Sequence, residues 1–146
     1  MPCVLIVEDD PDLRELMEFI LAEHGYETIS AWNGLQALEK MAARRPDVVL
    51  LDIHMPVMDG VEFRRQQLED PQRRDVPVIA VTAHHNPRDV EGRLGVKCLS
   101  KPLSLDQLLM DVHHACTEIR NRAAQVHGQS ADLTGPQMRK APNDEA

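Results

Sequence analysis

Short apolar runs, each about the length of a β-strand, alternate with stretches of helical periodicity along most of this chain. We predict strands at Val4–Val7, Thr28–Ala31, Val48–Leu51, Val78–Val81 and Val96–Leu99. The first, third and fourth runs are almost uniformly apolar, which is typical of strands that are covered on both faces. Their alternation with helices predicts βαβ units and therefore an α/β fold with a parallel sheet.

The stretches between the strands carry helix signals. The first helix is predicted to begin after Asp10, which precedes a proline, and to close at Gly25. A second helix opens at Asn33 and ends before Pro46, and a third follows Gly60. The apolar residues that we expect to face the core are Leu13, Leu16, Met17, Ile20 and Leu21 in the first helix, Leu35, Leu38, Met41 and Ala42 in the second, and Val61 and Phe63 in the third.

The fourth and fifth helical stretches differ in strength. Asn86 and the proline after it suit a helix start, but Gly92 and Gly95 leave room for only two turns. The last helix is the clearest, because Ser104 and Gln107 form a capping box. Its apolar stripe consists of Leu105, Leu108, Leu109, Val112, Cys116 and Ile119.

The length of 146 residues supports a single domain. Helical periodicity stops near Arg122, and the segment that follows is mostly Gly, Gln, Ser, Pro, Asn, Asp and Ala. A segment of this composition cannot bury enough surface to offset its ordering entropy. We therefore predict a folded domain over residues 1–124 and a disordered tail over residues 125–146.

Charge and hydropathy exclude several classes of protein. The formal charge of −8 repels phosphate backbones, so we expect no direct binding to nucleic acid. No apolar run approaches the roughly 20 residues of a membrane span, and the first residues turn acidic without a basic region of the signal-peptide kind. The three cysteines are too few and too scattered for a disulfide framework or a zinc site. We expect a cytoplasmic protein without membrane contact.

Chemically active side chains follow the predicted strands. Glu8 and Asp9 come after the first strand, Asp52 after the third, Thr82 after the fourth and Lys101 after the fifth. Ligands of open parallel sheets bind beyond the carboxyl ends of the strands, so these residues should share one edge. Carboxylates this close repel one another unless one is protonated or a cation binds.

A set of hard oxygen ligands without a Cys or His cluster favours Mg²⁺ over zinc. A lysine in the same place can supply a point charge to a phosphoryl group, and a threonine can donate a hydroxyl. The set as a whole suits phosphoryl transfer to a carboxylate, for which positioning and charge neutralisation are most of the catalysis.

With these motifs in order, the chain resembles the receiver domain of two-component response regulators. The matching stretches are Leu5–Pro11, Asn33–Leu38, Pro46–Gly60, Val81–Ala83 and Ser100–Pro102. They occur in family order and with spacing near that of the family, within residues 3–120. The resemblance implies a flavodoxin-like, doubly wound sheet of five parallel strands in the order 2-1-3-4-5, with helices on both faces.

The resemblance also implies roles for the acidic residues. Asp52 would accept a phosphoryl group from the phosphohistidine of a sensor histidine kinase. Asp9 would ligate Mg²⁺ directly, with Asp52 as a further ligand, and Glu8 would act through water. His54 matches the position whose backbone carbonyl ligates the metal.

The other matching residues surround the acceptor in the family. Thr82, followed by Ala83, would be the switch hydroxyl that moves toward the phosphoryl group. Lys101 would pair with the phosphate, and the bond from Lys101 to Pro102 would be cis. The histidines His54 and His84 stand at positions that tune how fast water removes the phosphoryl group.

Two features depart from the family pattern. Cys98 stands three residues before Lys101, where the family usually has Tyr, Phe or His. The interval from Thr82 to Lys101 is also shorter than is usual, and the missing residues fall around Arg88–Leu94. We therefore expect the fourth helix to be short or distorted, and signalling not to use a standard dimer through it.

Three functions remain to be compared. The first is a phosphorylatable, Mg²⁺-dependent receiver that signals through a downstream protein or relays phosphate to a histidine phosphotransfer domain. The second is a receiver-like interaction module that works without phosphate, which the altered fourth helix and Cys98 favour. The third, an aspartyl-phosphate phosphohydrolase, needs a second aspartate at the position of His54 and is therefore disfavoured.

Overall fold

The computed structural model describes residues 1–83 and 86–118. Five short strands form one sheet: β1 (Cys3–Val7), β2 (Glu27–Ala31), β3 (Val48–Asp52), β4 (Val78–Thr82) and β5 (Lys97–Ser100). The helices are α1 (Pro11–Glu23), α2 (Gly34–Ala43), α3 (Gly60–Glu69), α4 (Pro87–Leu94) and α5, which is described over residues 105–118. The predicted strands are confirmed, with ends displaced by one residue at most.

All four strand pairings are parallel, and the order across the sheet is β2-β1-β3-β4-β5. The predicted flavodoxin-like, doubly wound α/β fold is therefore confirmed. The register places Val7 beside Leu51, Asp52 beside Val81, and Thr82 beside Ser100. Because the strands end at nearly the same level, the residues after them meet at one edge.

Alternate residues of the central strands pack on opposite faces of the sheet. In β1, Val4 and Ile6 belong to one apolar cluster, whereas Leu5 and Val7 belong to another. The helical residues of the first cluster include Met17 and Leu21 of α1 and Leu108 and Val112 of α5, and those of the second include Ala37 and Met41 of α2 and Phe63 of α3. The sheet is thus covered on both sides, which explains why β1, β3 and β4 are apolar throughout.

The inward face of α2 differs from the prediction. Leu35 is 47% exposed and Ala42 is also exposed, whereas Gly34 and Ala37 are buried. The Gly34 N–H donates to the Met58 carbonyl oxygen at 2.9 Å, and a Cβ at Gly34 would lie 2.8 Å from that oxygen. This close approach fixes the rotation of α2 with Gly34 and Ala37 inward, so Leu35 and Ala42 face outward.

A similar correction applies to α3. Val61 is exposed, while Phe63 is fully buried, as is the polar Gln67, which lies one turn further along the inward face. The Gln67 amide nitrogen donates to the carbonyl oxygens of Arg73 and Val76, each at 2.9 Å, and so ties the end of the helix to the next loop. A polar side chain with two backbone partners can occupy a core position that an apolar pattern does not reveal.

The other inward faces differ only at single positions. Leu16 of α1 is 44% exposed, although it fits the helical spacing. In α5, the apolar stripe is confirmed through Cys116, and Ile119 lies outside the described residues. Asp111 of the same helix is also buried. Asp111 Oδ1 lies 3.2 Å from Lys97 Nζ and accepts a hydrogen bond from the Gln107 amide, whereas Asp111 Oδ2 is buried without a hydrogen-bond partner among the described residues.

The short fourth helix is confirmed. It spans eight residues and ends at Gly95, whose φ of 67° is the left-handed conformation that suits glycine. The Arg64 Nε–H donates to the Leu94 carbonyl oxygen at 3.1 Å and so anchors its last turn. Glu91 accepts a hydrogen bond from the Cys98 N–H at 3.0 Å, which joins α4 to β5. None of the helices within residues 1–83 and 86–118 is long and apolar enough to span a membrane.

Candidate functional site

The carboxylates of Glu8, Asp9 and Asp52 meet at the carboxyl edge of the sheet. One oxygen from each lies within 4.8 Å of the others. Glu8 and Asp52 are buried, with 1% and 3% of their surfaces exposed, whereas Asp9 is exposed. The residues that follow β1 and the end of β3 are therefore brought together as predicted, because these two strands are parallel neighbours.

Lys101 reaches this cluster from the loop after β5. Its Nζ lies 3.2 Å from Glu8 Oε1 and 3.5 Å from Asp52 Oδ1. The Lys101 N–H donates to the Thr82 carbonyl oxygen at 2.8 Å, and the peptide bond from Lys101 to Pro102 is cis, as the resemblance implied. One ammonium group thus faces the buried carboxylates of Glu8 and Asp52.

Burial and neighbouring charges shift the pKa values of Asp52 and Lys101. Burial and the neighbouring Glu8 carboxylate raise the pKa of Asp52 to about 7, although the Lys101 ammonium offsets part of the rise. Burial acts to lower the pKa of Lys101, but the carboxylates of Asp52 and Glu8 outweigh it and raise that pKa above its ordinary value. The site without a cation therefore holds more negative charge than its surroundings stabilise.

The remaining predicted site residues follow β3 or stand at the end of β4 and after it in the sequence. Thr82 is fully buried at the end of β4, and Ala83 is exposed directly after it. The His54 N–H points to Asp52 Oδ1 at 3.3 Å, and the His54 side chain is exposed. His84 lies outside the described residues, as does the predicted tail over residues 125–146.

The loop after Asp52 is held by tight backbone contacts. The Gly60 N–H donates to the Ile53 carbonyl oxygen at 2.9 Å, and a Cβ at Gly60 would lie 2.6 Å from the Asp52 carbonyl oxygen. Asp59 caps α3 by accepting a hydrogen bond from the Glu62 N–H at 2.9 Å. Glycine at position 60 therefore lets the start of α3 pack directly against the end of β3.

Arg14 is a site neighbour that sequence reasoning missed. Its Nη1 donates to the Glu8 carbonyl oxygen at 2.8 Å, and its guanidinium lies 5.3 Å from the centre of the Trp32 ring. The helical spacing could have predicted this position of Arg14. It is the fourth residue after the N-cap Asp10, so its side chain lies over the start of α1.

The oxygen set fits a hard divalent cation. Glu8 Oε1 is buried and has no hydrogen bond among the described residues, since Lys101 Nζ approaches it outside hydrogen-bonding geometry. A cation among the oxygens of Glu8, Asp9 and Asp52 would satisfy this atom and relieve the repulsion between the carboxylates. Carboxylates are the only side-chain ligands in this group, which favours Mg²⁺ over softer metals.

Comparison with known proteins agrees with this geometry. The family described as the response regulator receiver domain matches residues 4–113. The chain belongs to this receiver-domain family. It is 38% identical over 109 residues to the polar-differentiation response regulator DivK of Brucella anthropi, covering 73% of this chain and 89% of that protein.

Other relatives carry the receiver domain in larger proteins. The chain is 46% identical over 84 residues to protein-glutamate methylesterase/protein-glutamine glutaminase 3 of Hahella chejuensis, which covers 57% of this chain and 23% of that protein. The receiver domain of sensor histidine kinase PA1611 from Pseudomonas aeruginosa has been solved with magnesium in its active-site cleft. It superposes with a TM-score of 0.73 at 28% identity, covering 80% of this chain and 98% of that one.

Membership in the receiver-domain family identifies this chain as a signalling domain. Receiver domains are signalling domains of two-component systems rather than conventional enzymes, and an acidic Mg²⁺ site is a feature of the family. The acidic group of this receiver domain occupies the edge at which that site is expected.

Proposed function

We propose that Asp52 accepts a phosphoryl group from the phosphohistidine of a sensor histidine kinase or of a histidine phosphotransfer domain. In this step an Asp52 carboxylate oxygen bonds to phosphorus as the bond from phosphorus to the histidine nitrogen breaks, and the imidazole leaves. The observation that carries the proposal is the approach of Glu8, Asp9, Asp52 and Lys101 at one edge of the sheet.

The residues around Asp52 have separate tasks in this proposal. The His54 N–H and Lys101 Nζ both face Asp52 Oδ1 and so orient the carboxylate. Asp9, Asp52 and the His54 carbonyl would ligate Mg²⁺, and Glu8 would act through water. A bound Mg²⁺ would neutralise charge on the phosphoryl oxygens. Lys101 would pair with the phosphoryl group, and Thr82, followed by Ala83, would supply the switch hydroxyl.

The same chain would also limit the lifetime of the phosphorylated state. Hydrolysis of the acyl phosphate by water would restore Asp52 and release phosphate. His54 and His84, which follow Asp52 and Thr82 by two residues each in the sequence, would block or orient that water. We propose a receiver domain over residues 1–124 that works in the cytoplasm, where a kinase can phosphorylate it. Its output is contact with a downstream protein or onward relay to a histidine phosphotransfer domain.

A second candidate is an interaction module that no longer uses phosphate. The short α4 and the small Cys98 side chain, both on the face formed with β5, favour it. Where the family usually has an aromatic residue that follows the motion of the switch threonine, this chain has Cys98, with 9% of its surface exposed. The acidic cluster with Lys101 favours the phosphorylated receiver instead.

Incubation with acetyl phosphate and Mg²⁺ separates these candidates. We expect intact-mass measurement to show the gain of one phosphoryl group, and chelation of Mg²⁺ to abolish it. D52N should show no gain. D10N is the matched control, because asparagine caps a helix as well as aspartate does, and among the described residues the Asp10 side chain accepts only the capping hydrogen bond from the Asp12 N–H. An unmodified wild-type protein would favour the second candidate.

A further inference from the structure

Four hydrogen bonds help to hold the turn that carries Glu8 and Asp9. The Glu8 N–H donates to the Ala31 carbonyl oxygen at 3.0 Å, and Glu8 Oε2 accepts from the Asp10 N–H at 3.2 Å. The Arg14 N–H donates to the Asp10 carbonyl oxygen at 2.9 Å, and its side chain donates to the Glu8 carbonyl oxygen at 2.8 Å. The Arg14 side-chain bond is the one that fixes the peptide between Glu8 and Asp9.

The Arg14 side chain is itself held in place from outside. Its guanidinium lies 5.3 Å from the centre of the Trp32 ring, and Trp32 is 49% exposed. The Trp32 N–H donates to the Gln36 side-chain oxygen at 2.9 Å, and this bond connects the backbone of Trp32 to α2. A planar guanidinium can stack on an indole while it donates an in-plane hydrogen bond, whereas a lysine at position 14 would replace this rigid, planar group with a single ammonium on a flexible stem.

We infer that Arg14 is a positioning residue for the divalent cation. Its guanidinium, which is supported by the Trp32 ring, holds the Glu8 carbonyl group and so keeps the carboxylates of Glu8 and Asp9 in place for metal binding. This inference rests on the proposed Mg²⁺ site. Arg14 does not touch the cation in this arrangement, because its side-chain nitrogen bonds a backbone oxygen on the side of α1.

A purely electrostatic role for Arg14 makes the opposite prediction. A positive charge near a cation site weakens cation binding, so its removal would strengthen the binding of Mg²⁺. Positioning requires the shape and hydrogen bond of the guanidinium as well as its charge. Arg14→Lys keeps the charge and loses the geometry, whereas Arg14→Met loses both, so the two variants separate these roles.

The test is calorimetric titration of the metal-free protein with MgCl₂. We expect both Arg14→Lys and Arg14→Met to bind Mg²⁺ on the order of tenfold more weakly than the wild type, the effect typical of residues that hold metal ligands in place. Lys40→Met is the matched control. Its ammonium lies 5.6 Å from the centre of the same ring but donates to the Ser30 carbonyl oxygen, so binding should stay within about twofold of wild type.

The outcomes separate this inference from the proposed function. If the wild type itself binds no Mg²⁺, the proposed function fails and this inference fails with it. If the wild type binds and Arg14→Lys matches it, or Arg14→Met binds more tightly, only the positioning role is wrong. Thermal unfolding checks that each variant is folded. Should the Arg14 variants not fold, Trp32→Ala removes the support at an exposed residue and must weaken Mg²⁺ binding in the same direction.

Discussion

Asp52 meets two opposed requirements. A phospho-acceptor must be ionised to react, but this carboxyl group is buried beside Glu8, and its pKa is raised to about 7. Lys101 offsets part of the repulsion without cancelling it. Folding therefore works against ionisation of the group on which the proposed chemistry depends, which makes the metal-free site a source of instability.

The pH dependence of stability follows from this shift. Because the folded protein binds the Asp52 proton more tightly than the unfolded chain, the free energy of unfolding should fall as pH rises from about 4 to about 7 and then level off. D52N lacks the titrating group. At pH 8 in EDTA it should be more stable than the wild type by up to about 4 kcal/mol, and the difference should shrink toward pH 5.

Urea unfolding of the metal-free proteins at pH 5, 6.5 and 8 measures this difference. D10N serves again as the control, with unchanged stability across the series because its cap is retained. A D52N protein that is no more stable than the wild type at pH 8 would contradict the raised pKa.

At the scale of the elements, the helix starts depend on close backbone contacts. Gly60 begins α3 against the end of β3, where a Cβ would lie 2.6 Å from the Asp52 carbonyl oxygen and 2.9 Å from Ile53 Cα. Gly92 lies inside α4, where a Cβ would meet nothing within 4 Å. The same substitution should therefore have opposite effects at these two positions.

Gly60→Ala should lower the free energy of unfolding by about 1–3 kcal/mol, because backbone atoms must move to admit the methyl group. Gly92→Ala should raise it by about 1 kcal/mol, since alanine favours the helix and has space. Denaturant titration in Mg²⁺ measures both values. Equal losses at the two sites would show that the packing around Gly60 is not the cause.

The elements also show what the sequence could and could not predict. Strand positions and the convergence of Glu8, Asp52 and Lys101 were predictable, because apolar runs mark buried parallel strands whose ends share an edge. The short α4 followed from its glycines. The outward position of Leu35 was not predictable, because it depends on the contact of Gly34 with Met58, which joins two segments that are distant along the chain.

At the scale of the whole molecule, the proposed cation binding should be coupled to folding. Only the folded chain brings the oxygens of Glu8, Asp9 and Asp52 within 4.8 Å of one another, so Mg²⁺ should bind the native state and hardly bind the unfolded chain. Such a ligand stabilises the fold by mass action. The stability of this protein should therefore depend on the free Mg²⁺ concentration.

Thermal unfolding with increasing MgCl₂ tests this coupling. The wild type should gain about 3 kcal/mol when free Mg²⁺ exceeds its dissociation constant about 100-fold. D9N, which loses an exposed carboxylate of the cluster, should need more Mg²⁺ for the same gain. NaCl at equal ionic strength is the control, and an equal effect of NaCl would show general screening of the −8 charge rather than a site.

The place of Trp32 has a practical consequence. It is the chain's single tryptophan, its ring is half exposed, and Arg14 connects it to the Glu8 carbonyl group at the acidic cluster. Selective excitation of the indole therefore reports on one residue near the carboxyl edge of the sheet. A change in its emission during cation loading or acyl-phosphate decay would follow both events in real time without an attached dye.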